Sequence, residues 1–439
     1  MDLLKDNVGK LYRHFLAAAF GSALITSIYG LVDIGMVGQY HGPSGTAAMS
    51  VIAPVWNVIY SLGLLTGIGG SVLFSVRRGE QNKQNNANLY FTNAVWLTAV
   101  FAVLCYIVMW RFEVPVLCLF GANDELLPLA VRYLSSVRFV VPSFMFMQLL
   151  SAFLRNDSAP GLATKAVIIG GIFNVFGDYF FVFTLDMGIT GAGLATSVGS
   201  VISLLIMCTH FLSKKCTLRL VAPKQVLSSW KSIVTTGFSA FFIDVAMGIL
   251  TMLFNRQIMQ YLGTDALAVY GIIVNISTFG QCCAYGVGQA SQPILSQNYG
   301  AGQYRRIHTL LGYNLASLGV LSVVWIVLMM AVPNLWIRLF MAPTASVLAI
   351  APIIIRSYAT SFPFLLLNVY STYYFQSILK PGLSFIISVA RGLVISGSLI
   401  LLLPRIAPAE SLWFAMTITE TLVAVFVGWQ MFKTDRKLQ

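Results

Sequence analysis

Residues 88–111 read NLYFTNAVWLTAVFAVLCYIVMWR, and no Lys, Arg, Asp or Glu interrupts them before Arg111. At 1.5 Å per residue, a helix of this length crosses a hydrocarbon core of roughly 30 Å. Similar runs recur along the whole chain, in which 57% of the 439 residues are apolar and only 10% are charged. The mean hydropathy is +0.80. The sequence therefore predicts an all-α protein embedded in a lipid bilayer.

Apolar runs of this kind predict twelve transmembrane helices. The predicted spans are 12–39, 46–76, 88–111, 126–153, 163–184, 189–212, 233–262, 266–297, 308–332, 346–378, 382–404 and 410–432. An even number of spans puts both termini on one side. Most Lys and Arg residues outside the spans fall on that side, and only Arg111, Arg338 and Arg405 fall on the other. The positive-inside rule therefore predicts cytoplasmic termini, and it explains the net charge of +12 without a nucleic-acid partner.

Glycine and proline positions repeat at a constant offset along the chain. An offset of 221 residues aligns many such pairs, among them Gly42 with Gly263, Gly79 with Gly300, Pro142 with Pro363, and Pro160 with Pro381. Shared apolar composition would not keep these residue types in one register, so an internal duplication is predicted. We expect two pseudo-symmetric six-helix lobes, with helices 1–6 in residues 1–222 and helices 7–12 in residues 223–439. Pro142 and Pro363 predict a bend inside the fourth and tenth helices.

Two aspartates interrupt the apolar spans of the first half. Asp33 and Asp178 each precede the outer end of their helix by about six residues, which places both about 9 Å below that surface. Asn174 lies one helical turn before Asp178, and Thr196 has a similar depth in the sixth helix. Such oxygen ligands could hold Na⁺, and the carboxylates could instead take up protons. The alternative is that each aspartate only bonds a neighbouring helix.

Three further ionisable residues lie near mid-membrane in the second half. Asp244, Arg391 and Glu420 have a common predicted depth, so a salt-linked cluster is possible. Glu420 or Asp244 could bind a cationic substrate, or the acids could only neutralise Arg391. Asn255 stands opposite Ile34 in the repeat and is a further candidate for this network. Phe254 stands opposite Asp33, so the second half has no matching aspartate pair.

Several function classes have no support in the sequence. A GxxxxGK[ST] phosphate-binding loop is absent, so ATP is not expected to drive the protein directly. The six cysteines show no CxxC spacing, and the four histidines are scattered, so no metal cluster is expected. Neither HExxH nor GxSxG occurs, which argues against an intramembrane enzyme. A channel is a further alternative, but two similar lobes with an ion site in one of them favour alternating access.

Four stretches resemble the sequence patterns of multidrug and toxic compound extrusion (MATE) transporters. They are LVDIGMVG at 31–38, NVFGD at 174–178, GITGAGLAT at 188–196 and QPILSQNYGA at 292–301. The resemblance covers essentially the whole chain. It implies secondary active efflux of organic cations by proton or sodium antiport. The expected protein is a monomer in a bacterial cytoplasmic (inner) membrane, and its only cofactor is the coupling ion.

Within this family the chain resembles the DinF-type branch. In that branch the residues matching Asp33, Asn174, Asp178 and Thr196 form a cation site. The NorM-type branch has acids in the seventh and tenth helices, where this chain has Asn255 and no acid between 346 and 378. A lipid-linked oligosaccharide flippase of the same superfamily is the alternative function. A flippase would be expected to have more spans and a more cationic central cavity.

The predicted topology can be tested with reporters. A reporter fused after Gln439 should be cytoplasmic, whereas reporters inserted at Asp186 or Asp265 should be external. From a cytoplasmic N-terminus, an even number of spans precedes Gln439, and an odd number precedes Asp186 and Asp265. Protease accessibility in right-side-out vesicles is the measurement. An external C-terminus would contradict the twelve-span topology.

Overall fold

The computed structural model describes residues 2–80, 87–340 and 344–438, except the side chains at 27, 29, 31, 43, 340, 437 and 438. The described residues are overwhelmingly helical and contain no strand. Ten of their helices are long and apolar enough to cross a membrane, and one bent pair makes an eleventh. The remaining long helix precedes Gly42, where a kink interrupts the stretch Val8–Gly79.

We label the twelve long helices α1–α12 in chain order. The part of Val8–Gly79 before Gly42 is α1, and the following helices are α2 (Ser44–Gly79), α3 (Ala87–Arg111), α4 (Leu127–Asn156), α5 (Pro160–Thr184), α6 (Gly188–Leu212), α7 (Val226–Tyr261), α8 (Gly263–Gly300), α9 (Tyr304–Ala331), α10 (Ala345–Ala359 with Phe362–Ser377), α11 (Pro381–Ile406) and α12 (Ala409–Arg436). Short helices Glu113–Leu119 and Pro333–Phe340 follow α3 and α9. Most observed ends lie within a few residues of the predicted ones, and α7 begins seven residues before its predicted start (233 − 226).

The backbone repeats the internal symmetry that the sequence predicts. Gly42 and Gly263 both have positive φ, at 66° and 83°, and so do Ser158 and Leu379, at 60° and 53°. Both pairs are separated by the same 221 residues (263 − 42 and 379 − 158). Glycine adopts this conformation at little cost, whereas Ser158 and Leu379 need support from their surroundings. Equivalent turns therefore precede equivalent helices in the two halves.

The two predicted proline bends are confirmed. In α4 the 3₁₀ turn Arg138–Val140 interrupts the helix just before Pro142. In α10 the axis bends by 45° between Ala359 and Phe362, just before Pro363. Proline disfavours helical geometry in the residue before it, which explains why both interruptions lie on its N-terminal side.

Each half contributes the beginning of its first helix to the core of the other. Leu11 and Phe15 of α1 are buried in the hydrophobic core of the second half, and the Tyr12 hydroxyl donates a hydrogen bond to Ser317 of α9 at 2.9 Å. Conversely, Ile233 of α7 is buried in the core of the first half. The Trp230 indole donates to the Asn93 carbonyl of α3 at 3.0 Å. The two cores are therefore cross-connected at the end of the bundle that carries both termini, which we call the terminal face.

The lobes also meet closely at the terminal ends of α2 and α8. A Cβ atom at Gly79 would collide with the carbonyl oxygen of Gln297, and one at Gly300 would collide with that of Val76. These contacts are reciprocal under the 221-residue offset, because Val76 corresponds to Gln297 and Gly79 to Gly300. Only glycine allows this close approach of the two backbones. The pseudo-twofold axis therefore passes between α2 and α8.

We expect Gly300→Ala to destabilise the protein by about 1–3 kcal/mol, because the added methyl group must push α8 away from α2. Gly312→Ala in α9 is the matched control, because a Cβ atom there meets nothing within 4 Å and alanine favours the helix. Thermal unfolding in detergent measures the difference. Equal melting temperatures for the two variants would mean that the lobes separate here without cost.

Candidate functional site

Asp33, Asn174 and Thr196 form one hydrogen-bonded group between α1, α5 and α6. The Asn174 amide donates to Asp33 Oδ1 at 3.1 Å and lies 3.2 Å from Thr196 Oγ1. The Thr196 hydroxyl donates to Asp33 Oδ2 at 2.9 Å. All three side chains are buried, and 6% of Asp33 is exposed. The structure thus brings Asp33 together with two residues that follow it by more than 140 positions in sequence.

Asp178 completes this group from the next turn of α5. Its side chain is fully buried, and neither carboxylate oxygen accepts a hydrogen bond from a described donor. The group within hydrogen-bonding range is the carboxyl group of Asp33. Two facing carboxylates repel each other strongly in a medium of low permittivity. A proton or a cation held between them would remove this repulsion.

A cavity of about 260 Å³ gives access to the group. Asp33 and Thr196 line it, together with Trp56 of α2 and Tyr133 and Phe144 of α4. Aromatic walls with a few polar groups at one end are typical of sites that bind organic molecules. The predicted ion-binding group and this apolar cavity are therefore parts of one site.

The oxygen atoms of the group could serve either a proton or a sodium ion. Asn174 Oδ1 is buried and accepts no hydrogen bond from the described residues, so it is free to contact a cation. The Asn174 amide N–H, which donates to Asp33, cannot bind a cation, whereas the Thr196 oxygen has lone pairs for one even while its O–H donates to Asp33. These two donors stabilise a carboxylate at Asp33, whereas Asp178 accepts a hydrogen bond from no described donor.

Arg391 and Glu420 form a buried ion pair in the second half. Arg391 Nε lies 2.6 Å from Glu420 Oε1, and the Asn368 amide donates to Glu420 Oε2 at 2.7 Å. Glu420 is fully buried, and it is satisfied by these two partners. The geometry supports the neutralising role for Glu420 that the sequence left as one of two alternatives.

The other two candidates of the second half lie outside this pair. Asp244 is not within salt-bridge distance of Arg391, and its Oδ2 atom is buried without a described donor. Its charge acts on Tyr285 and Tyr373. Asn255 is exposed on α7. The salt-linked cluster therefore contains Arg391 and Glu420 without Asp244, because a common depth does not by itself bring side chains of different helices within salt-bridge distance.

Comparison with known proteins places the chain among transporters. The family model described as MatE matches residues 18–180 and matches again at residues 238–399. These two ranges cover well over half of the chain.

The chain belongs to the MATE family.

Known relatives of this MATE protein agree with the family match. The multidrug export protein MepA of Staphylococcus aureus (strain MSSA476) is 24% identical over 341 residues, which are 76% of this chain and 74% of MepA. A solved outward-facing structure of a multidrug resistance MATE transporter of the MOP superfamily has a TM-score of 0.91 at 20% identity. The match covers 99% of this chain and 98% of that one. A MOP superfamily transporter from Pyrococcus furiosus has the same TM-score at 19% identity, with 99% and 98% coverage.

These structures confirm the predicted fold of twelve membrane helices, and the protein is a multi-pass membrane protein. Sequence reasoning missed the aromatic part of the site in this MATE protein. Trp56, Tyr133 and Phe144 line the cavity beside Asp33. Aromatic residues are common throughout these helices, so their positions in the sequence do not mark the ones that face the site. Only the packing of the helices identifies them.

For the second half of this MATE protein, we expect Glu420→Gln to lower stability by about 3–5 kcal/mol, because it leaves Arg391 buried without a counter-charge. The double variant with Arg391→Gln should recover most of this loss. Melting temperature in detergent and drug preference in cells are the two measurements. A selective loss of resistance to cationic drugs at normal stability would instead place Glu420 in contact with substrate.

Proposed function

We propose that this protein exports organic cations from the cell by antiport against an ion gradient. The proposal rests on the buried group of Asp33, Asn174, Asp178 and Thr196, which borders a cavity with aromatic walls. Burying two carboxylates in a membrane costs free energy, so a fold retains them only with a compensating gain. The family membership and the similarity to MepA, a multidrug export protein, support the same conclusion.

A proton is the coupling ion that the hydrogen bonds favour. Asp33 accepts hydrogen bonds from two neutral donors, whereas Asp178 accepts none from the described residues. A proton on Asp178 would supply the missing donor to Asp33 and cancel one negative charge. Sodium is the second candidate, because rotation of the Asn174 amide would direct Oδ1 towards the same space.

Ion binding would change the site in a way that promotes release of the substrate. With both carboxylates ionised, the group attracts an organic cation into the adjoining cavity. Uptake of a proton or Na⁺ neutralises part of the charge of the group, so the organic cation is attracted less strongly. Helices α1 and α5, which carry the two carboxyl groups, can then approach each other. Since the substrate and the ion compete for one pair of charges, entry of one favours exit of the other.

The remaining features of the proposal concern architecture and orientation. Residues 1–222 and 223–439 form the two lobes, which change their angle around the contact between α2 and α8. The protein acts as a monomer in a bacterial cytoplasmic membrane, with both termini in the cytoplasm. The close approach of Gly79 and Gly300 near the terminal face supports a state in which the cytoplasmic side is closed.

The proposal is tested by efflux of ethidium from proteoliposomes with an imposed pH gradient or an imposed Na⁺ gradient. Asp33→Asn and Asp178→Asn should each reduce gradient-driven efflux at least about tenfold, because each removes a charge that the ion neutralises. Thr196→Ala removes one neutral donor, and we expect it to weaken ion affinity by roughly tenfold or less at an unchanged maximal rate. All variants are compared at matched expression.

Two outcomes would contradict this mechanism. Near-wild-type transport by both aspartate variants would mean that the carboxyl groups only support the structure. Absence of efflux by the wild type under either gradient would favour the flippase alternative. Efflux under the Na⁺ gradient alone would identify sodium as the coupling ion.

A further inference from the structure

A second cavity lies between the two lobes, on the terminal side of the proposed ion site. Its volume is about 80 Å³, and its walls come from α1, α2, α4 and α5 of the first half and from α8 of the second half. Polar side chains dominate one part of this wall: Gln148, Ser151, Arg155, Tyr285 and Gln289. A small polar cavity between lobes that move relative to each other is a candidate for substrate contact.

Arg155 is the charged residue of this cavity. Only 6% of the side chain is exposed, Nη1 donates to the Ser151 hydroxyl at 2.9 Å, and Nε has no hydrogen-bond acceptor among the described residues. No described carboxylate lies within salt-bridge distance of the guanidinium. The nearest acid in sequence, Asp157, is instead bonded to Arg78 at 2.7 Å and His210 at 2.8 Å.

Burying an arginine in this way costs free energy unless an anion lies close to its charge. The other ion pairs inside the protein follow this rule, as the contact between Arg391 and Glu420 illustrates. The planar guanidinium group binds a carboxylate through two parallel hydrogen bonds, and neighbouring amide and hydroxyl groups can donate further ones. A volume of 80 Å³ accommodates a carboxylate group but not a whole drug molecule.

The small cavity adjoins the larger one beside Asp33. Thr26 and Tyr60 line both cavities. A ligand could therefore place an aromatic, cationic body against Trp56 and Phe144 while its acidic end reaches Arg155. From this arrangement we propose that Arg155 is a specificity-determining residue, whose guanidinium holds the carboxylate of substrates that carry one. This inference rests on the proposed export function and names the residue that selects among its substrates.

The test compares two rhodamine dyes that differ in one group. The free acid is a zwitterion, and its methyl ester is a cation without a carboxylate. We expect the wild type to export both dyes. Arg155→Gln should reduce the ratio of acid to ester transport about tenfold, because it removes the charge that binds only the acid. Arg155→Lys should retain part of the ratio, since it keeps the charge without the planar fork.

Arg13→Gln is the control for loss of a positive charge elsewhere, because Arg13 is exposed at the terminal face, and its acid-to-ester ratio should equal that of the wild type. Binding of the free acid to each purified variant, followed by fluorescence anisotropy, checks the ratio without a gradient. Equal loss of both dyes in Arg155→Gln, at an unchanged acid-to-ester ratio, would show that Arg155 only supports the structure, which overturns the proposal.

Export of the ester but not the acid by the wild type would also overturn it, while leaving the proposed function intact. Failure to export either dye would instead count against the proposed function itself.

Discussion

The absence of water from the hydrocarbon core is the constraint on which this structure depends. It forces the backbone into helices, because each N–H and C=O group must find a partner within its own segment. It also makes every buried charge costly unless a partner is close. Arg391 satisfies this requirement with Glu420 at 2.6 Å, whereas neither Asp178 nor Arg155 has a described side chain of opposite charge within salt-bridge distance. Arg155 lines one cavity, and Asp178 faces Asp33, which lines the other. A ligand or an ion in these cavities can supply the missing opposite charge.

The two halves of the protein treat their buried charges differently. The second half pairs Arg391 with Glu420, and Asn368 supports this pair, while Asp244 lies apart from it. The first half leaves two carboxyl groups facing each other on helices that also line the two cavities. The two repeats have the same backbone fold but different side chains at equivalent positions. One repeat can therefore contribute a stabilising ion pair while the other contributes the ion-binding group.

The sequence was sufficient for the fold and for the shared depth of Asp33 and Asp178, because span length and depth follow from helical rise alone. The proline bends were predictable for the same reason, since proline acts on its own backbone. Depth does not determine rotation about the helix axis. Asp244 shares the predicted depth of Arg391 yet forms no salt bridge with it among the described residues, so the predicted three-residue cluster did not form. Arg155 follows the predicted fourth span, 126–153, and only the packing of α1, α4 and α8 makes it part of a cavity.

The exchange of helix beginnings between the lobes has a consequence for biosynthesis. The partners of Leu11 and Phe15 belong to the second half, so the first helix leaves the ribosome long before its core exists. The first half, in turn, lacks Ile233 until α7 has been made. Neither six-helix unit can complete its core while it is the only one in the membrane. Final packing is therefore a late event that couples both halves, although their helices insert one after another.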